Sequence, residues 1–112
     1  MSQHDPLVRV QHMRDYAQEA LELLGEKTDA QVEADRVLQL ALIRLIEVVG
    51  EAASQVPPAF RDTHPDLPWR EASSTRNLLI HGYDIVRIDI LCQTIRTDFP
   101  PLIQALTELL EA

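Results

Sequence analysis

From Val32 to Val56 the chain is apolar on almost every side: Val37, Leu38, Leu40, Ala41, Leu42, Leu45, Ile46, Val48, Val49, Ala52 and Ala53 all fall within it, and no proline interrupts them before Pro57-Pro58. A helix of this make-up must be covered on more than one side. A chain of 112 residues has few other helices with which to do so. The stretch is therefore expected to form a central helix that also meets a second copy of the chain.

The segments on either side carry helical punctuation. Asp5-Pro6 reads as an N-cap followed by proline at the first helical position. Leu7, Val10, Met13, Ala17, Ala20, Leu21 and Leu24 recur at three- and four-residue steps up to Gly25, the stripe of an amphipathic helix. Thr28-Asp29-Ala30-Gln31 has the form of a capping box. Beyond Pro57-Pro58 an irregular polar connection is expected, with a short helical turn around Phe60. A new helix should open at Pro68-Trp69 and run through Ala72, Arg76 and Leu79 towards Gly82. Another begins between Asp84 and Asp89, and bends or restarts at Pro100-Pro101 before finishing through Leu102, Ile103, Leu106, Leu109 and Leu110. The pattern predicts an all-α, antiparallel helical bundle of four to five helices in one domain covering residues 1–112.

Composition agrees. Hydrophobic residues make up 46% of the chain but aromatics only 4%, so the core must be aliphatic, and three glycines in all favour helices over turns. No run reaches the length of a membrane span, and the first residues lack the layout of a signal peptide, so a cytoplasmic location is expected. The single cysteine, Cys92, cannot form an intrachain disulfide and sits among apolar neighbours, as an inert buried thiol would. The net charge of −8 argues against a protein that holds nucleic acid over its whole surface. The charge is uneven, however: Glu19, Glu22, Glu26, Asp29, Glu33 and Asp35 crowd the first third, while Arg61, His64, Arg70, Arg76, His81 and Arg87 follow later. A local basic cleft on an acidic body is compatible with that order.

Within the basic region Arg76-Asn77-Leu78-Leu79-Ile80-His81-Gly82-Tyr83 joins groups suited to phosphate chemistry. An arginine fork matches phosphate oxygens, and a histidine moves protons near neutral pH. On an unbroken α-helix, Arg76 and His81 would stand roughly 140° apart, too far round to share a substrate. Either the helix ends near His81, with Gly82 allowing the turn, or another chain completes the site. Cleavage of RNA through its 2′-hydroxyl without a metal needs a base, an acid and stabilisation of a crowded anionic phosphorus. Two copies of the motif facing one another would supply two histidines and two arginines. No ligand-spaced set of His, Cys, Asp and Glu points to a metal, and no glycine-rich phosphate loop is present.

Arg76-x4-His81-x-Tyr83, preceded by Gly50-Glu51-Ala52 on a long apolar helix and by Leu67-Pro68-Trp69, resembles the HepT-like branch of the HEPN superfamily over nearly the whole chain. The resemblance implies an all-helical ribonuclease toxin acting as a homodimer, with the motif at the subunit cleft and no cofactor. It also implies a cognate minimal nucleotidyltransferase as antitoxin, in a type II/VII-like toxin-antitoxin pair. Carried onto this chain, Arg76 and His81 are the catalytic residues, Asn77 contacts the substrate beside them, and Tyr83 receives AMP from the partner. A phosphodiester charge and a base attached two residues from His81 would repel and block RNA. Ser73-Ser74-Thr75 departs from the bulkier residues usual before the arginine. His64 and Arg70 are secondary candidates for RNA contact. The competing expectation is a non-catalytic helical dimer that binds nucleotide or docks a nucleotidyltransferase, which the acidic charge and the few aromatic stacking platforms favour.

Overall fold

The computed structural model describes residues 5–75 and 87–112, and every regular element among them is helical. Helix α1 spans Pro6–Leu24. Asp5 caps it, its carboxylate accepting the Leu7 N–H at 2.9 Å, while Pro6 occupies the first turn where no N–H partner is needed. Val10, Met13, Ala17, Ala20 and Leu24 turn fully inward, as the stripe predicts, whereas Leu7 at its start stays exposed. Gly25 ends α1 at a φ of 54°, a conformation that strains any side chain.

The capping box forms as expected and opens a single short helix, α2 (Asp29–Glu33): Thr28 Oγ1 accepts the Gln31 N–H at 3.2 Å, and Gln31 Oε1 accepts the Thr28 N–H at 2.8 Å. The apolar stretch predicted to run unbroken from Val32 is interrupted here. Asp35 becomes an N-cap instead of a helical residue, its carboxylate accepting the Leu38 N–H at 3.0 Å, and α3 spans Arg36–Ser54. A short acidic side chain is worth more on the open N–H groups of a helix start than inside a helix. The Gln39 side chain spans the joint by donating to the carbonyls of Val32 and Glu33 at 3.0 and 2.9 Å, the first of which also accepts the Asp35 N–H at 3.0 Å.

Helix α3 buries Leu38, Leu42, Leu45, Ile46, Val49, Gly50, Ala52 and Ala53, packing on α1 and on α5 (Trp69–Ser74). It is the most widely buried helix of the described chain, as its composition requires. Val37 and Leu40 nevertheless remain 78% and 51% exposed. A short helix α4 (Pro58–Asp62) follows the Pro57-Pro58 break.

Helix α6 (Ile88–Gln93) passes into a π-helical turn, Thr94–Asp98, and then into α7 (Phe99–Glu111). The interruption expected at Pro100-Pro101 thus takes the form of a widened turn just ahead of it. Neither proline has an N–H to give to the carbonyl four residues back, and each ring crowds that carbonyl. The turn widens so that the Phe99 N–H reaches the Thr94 carbonyl five residues back. Thr94, the one buried polar side chain among the described residues, is satisfied by donating to the Ile90 carbonyl at 2.8 Å. On the outer side Arg96 reaches α2, donating to Asp29 Oδ1 at 2.7 Å and to the Lys27 carbonyl. Phe99, Leu102 and Leu106 carry α7 onto α1 and close one aliphatic core. No helix among the described residues is long and apolar enough to cross a membrane.

Candidate functional site

The four motif residues Arg76, Asn77, His81 and Tyr83 lie outside the described residues. The structure describes the frame that holds both ends of that stretch. On the leading side α5 delivers the chain to Thr75, whose hydroxyl donates to the Ala72 carbonyl at 2.7 Å and which is bonded directly to Arg76. Trp69 fixes the start of α5. Its ring is buried, meets Phe60 edge-on at 6.4 Å, and its indole N–H donates to the His64 carbonyl at 2.9 Å. Pro68 caps this helix, one position earlier than the first-turn place expected of it, and Trp69 is the first helical residue.

On the trailing side Arg87 precedes α6 and grips Asp89 with two donors, at 3.1 and 2.8 Å. The hydrogen bond and charge of Asp89 raise the Arg87 guanidinium above its ordinary value, and Arg87 lowers the Asp89 carboxyl. Arg87 is therefore already engaged, and the basic cluster read from the sequence is weaker by one charge. Of the others, Arg70 is exposed, and Arg61 buries its Nε without a partner among the described residues.

His64 is held rather than free. Its ring stacks on Phe60 at 4.6 Å, and Nδ1 lies 2.9 Å from Thr63 Oγ1 and 3.2 Å from the Phe60 carbonyl. The Thr63 hydroxyl also donates to that same carbonyl at 2.7 Å. His64 lines a cleft of about 270 Å³ together with Asp66, Glu108 and Leu109. Glu51, on the small-residue patch of α3, is exposed and stands 3.9 Å from Arg44, while Gly50 beside it is buried. Among the described residues no group of three or more His, Cys, Asp and Glu could hold a metal ion. Cys92 is fully buried, and burial together with the nearby Asp29 charge pushes its thiol up, away from the reactive thiolate.

A second cleft, of about 280 Å³, opens between α5 and the π-helical turn, directly beside the point where the chain enters the motif. Pro68, Ala72, Phe99, Pro101 and Leu102 give it apolar walls, and Glu71, Thr75, Thr97 and Asp98 line it with polar groups. Sequence reading missed this feature. Glu71 and Asp98 are far apart in the chain, and the only local signal was Pro100-Pro101, which marks where the helix must depart from α geometry.

The family model described as ribonuclease HepT-like matches residues 13–109, a span that includes the whole Arg76–Tyr83 stretch. A probable ribonuclease HepT of Thermococcus cleftensis is 39% identical over 88 residues, covering 75% of this chain and 80% of that protein. A candidate RNase of Caldanaerobacter subterraneus is 38% identical over 77 residues, 69% of each chain. A longer protein of Methanocaldococcus jannaschii, named as a gamma-glutamylcyclotransferase and candidate RNase, is 33% identical over 97 residues, which are 83% of this chain but 44% of that one. No solved structure matches the chain. With the motif and its landmarks in sequence order, described residues that are all helical and a family match over most of its length, the chain belongs to the ribonuclease HepT-like family of the HEPN superfamily.

Proposed function

We propose that this protein is a metal-independent endoribonuclease toxin that cleaves RNA at a cleft between two copies of the chain. The observation that carries the reading is the family match across residues 13–109, which takes in Arg76, Asn77, His81 and Tyr83 together. His81 acts as general acid or base, Arg76 binds the scissile phosphate and stabilises its developing charge, and Asn77 orients the substrate from the edge. Each copy contributes one such set, so the homodimer holds the acid and base that a single chain lacks. The exposed Val37 and Leu40 on α3 support an interface, since apolar side chains on the outside of the core helix gain by being covered. Tyr83 is the acceptor of AMP from a cognate minimal nucleotidyltransferase, and the added charge and bulk shut RNA out. The protein works in the cytoplasm, as one domain.

The test is cleavage of RNA by the purified dimer in excess chelator, beside His81→Ala and Arg76→Ala. The wild type is expected to cleave and both variants to lose cleavage while keeping their dimeric mass. Cleavage at the parental rate by either variant refutes the assignment, and a wild type that neither cleaves RNA nor arrests growth points to the non-catalytic docking protein instead.

A further inference from the structure

We infer that the outer face of α3 is a seam on which two copies of this chain pair antiparallel, about a twofold axis beside Val37 and Leu40. The inference deepens the dimer of the reading above by fixing its axis and direction, and it is testable apart from RNA cleavage. Val37, Leu40, Arg44, Glu47 and Glu51 follow one another at alternating steps of three and four, so they form one stripe along the side of α3 turned away from the core. That alternation is the spacing by which paired helices interlock. Its two apolar members are 78% and 51% exposed, more than any other large hydrophobic side chain among the described residues. They stand one turn apart at the start of the helix, where a second copy of the same patch can cover them.

The charges further along the stripe select the direction and the register. A parallel pair sets each residue against itself, so that Arg44 meets Arg44, Glu47 meets Glu47 and Glu51 meets Glu51. All three layers repel. An antiparallel pair centred on the middle of α3 matches Arg44 with Glu47, but it sets Leu40 against Glu51 and Val37 against Ser54 and so covers both apolar side chains with polar ones. With the axis between Val37 and Leu40, each of these lies on the other in the partner, and the acidic end of each α3 runs clear of the contact. At that register Arg44 comes level with the partner's Glu33, at the end of α2. Arg44 is free to make this pair: its side chain is 64% exposed and only 3.9 Å contacts tie it to Glu47 and Glu51. Two such pairs would flank the apolar patch, one on each side of the axis.

Two measurements on the full chain test this. Dimer dissociation is followed by sedimentation for the wild type, Glu33→Arg, Arg44→Glu and the two changes together. Each single change sets like charges across the seam and should weaken the dimer about tenfold, while the exchanged pair should return to within about threefold of the wild type. If Glu33→Arg neither weakens the dimer nor rescues Arg44→Glu, Arg44 serves its own helix alone and the register is overturned. In the second measurement Leu40→Cys and Glu51→Cys are each oxidised; Cys92 is fully buried and stays out of the reaction. Leu40→Cys should give a disulfide-linked dimer and Glu51→Cys should not. All four changed positions are exposed, so the fold is kept. Linkage through Glu51→Cys, linkage through neither, or a wild type that stays monomeric overturns the inference. A dimer linked through Leu40→Cys whose wild type cleaves no RNA supports the seam and overturns the nuclease reading, whereas a cleaving dimer that Leu40→Cys does not link overturns the seam alone.

Discussion

The indole N–H of Trp69 donates to the backbone carbonyl of His64 at 2.9 Å, closing the loop between α4 and α5 on itself. That carbonyl also accepts the Leu67 N–H at 3.2 Å, so the loop turns around one oxygen just before the helix that leads to Arg76. Whatever holds Trp69 therefore holds the entrance to the motif.

Trp69→Phe keeps most of the buried ring and loses the hydrogen bond. Because Leu67 still satisfies the carbonyl, the cost should be about 1 kcal/mol in chemical denaturation. Trp69→Ala removes the ring as well and should cost about 3–5 kcal/mol. Similar losses for the two variants would show that the polar contact, and not the packing, fixes the loop.

Asp35 decides that α2 and α3 are two helices. Asp35→Ala leaves the first N–H groups of α3 without their cap and should cost about 1 kcal/mol. Asp35→Asn or Asp35→Ser should recover most of that loss, since either can accept the Leu38 N–H. A denaturation midpoint for Asp35→Ala equal to the wild type would remove the cap from the account.

The Arg96–Asp29 pair couples stability to pH. The hydrogen bond from Arg96 depresses the Asp29 carboxyl below its ordinary range, so its value in the folded chain lies below that in the unfolded chain. Such a group contributes stability above the unfolded value, and the contribution is lost as pH falls through the folded one. Asp29→Asn should therefore melt below the wild type at pH 7, and the gap should close on acidification below about pH 4. Both side chains are solvent-exposed, so the gap should be small and should narrow in high salt. A gap that widens in acid would contradict the assignment.

Val37 and Leu40 carry the subunit proposal. Val37→Asp with Leu40→Lys places opposite charges on α3 where the side chains already face outward, so the core keeps its packing. Light scattering should give the dimer mass for the wild type and the monomer mass for the double variant, with the melting temperature of the monomer unit little changed. A variant that remains dimeric puts the interface elsewhere.

Much of this architecture follows from the sequence because its signals are local. Caps at Asp5 and Thr28, the glycine stop at Gly25 and the proline break at Pro57-Pro58 act within one turn of chain, and a three-and-four spacing states which side of α1 is buried wherever the helix goes. The resemblance carried by Arg76, His81 and Tyr83 is likewise written in residue order alone. Competition between neighbouring options is less legible. Asp35 could continue a helix or cap one, and Pro100-Pro101 could bend, stop or widen it, because each outcome depends on what the flanking turns pack against. Tertiary structure alone decided that Arg96 reaches Asp29, that Val37 and Leu40 stay outside the core, and that Glu71 and Asp98 share one cleft. Each is a meeting, or a failure to meet, of groups distant along the chain, and it is settled by the three-dimensional course of the helices between them.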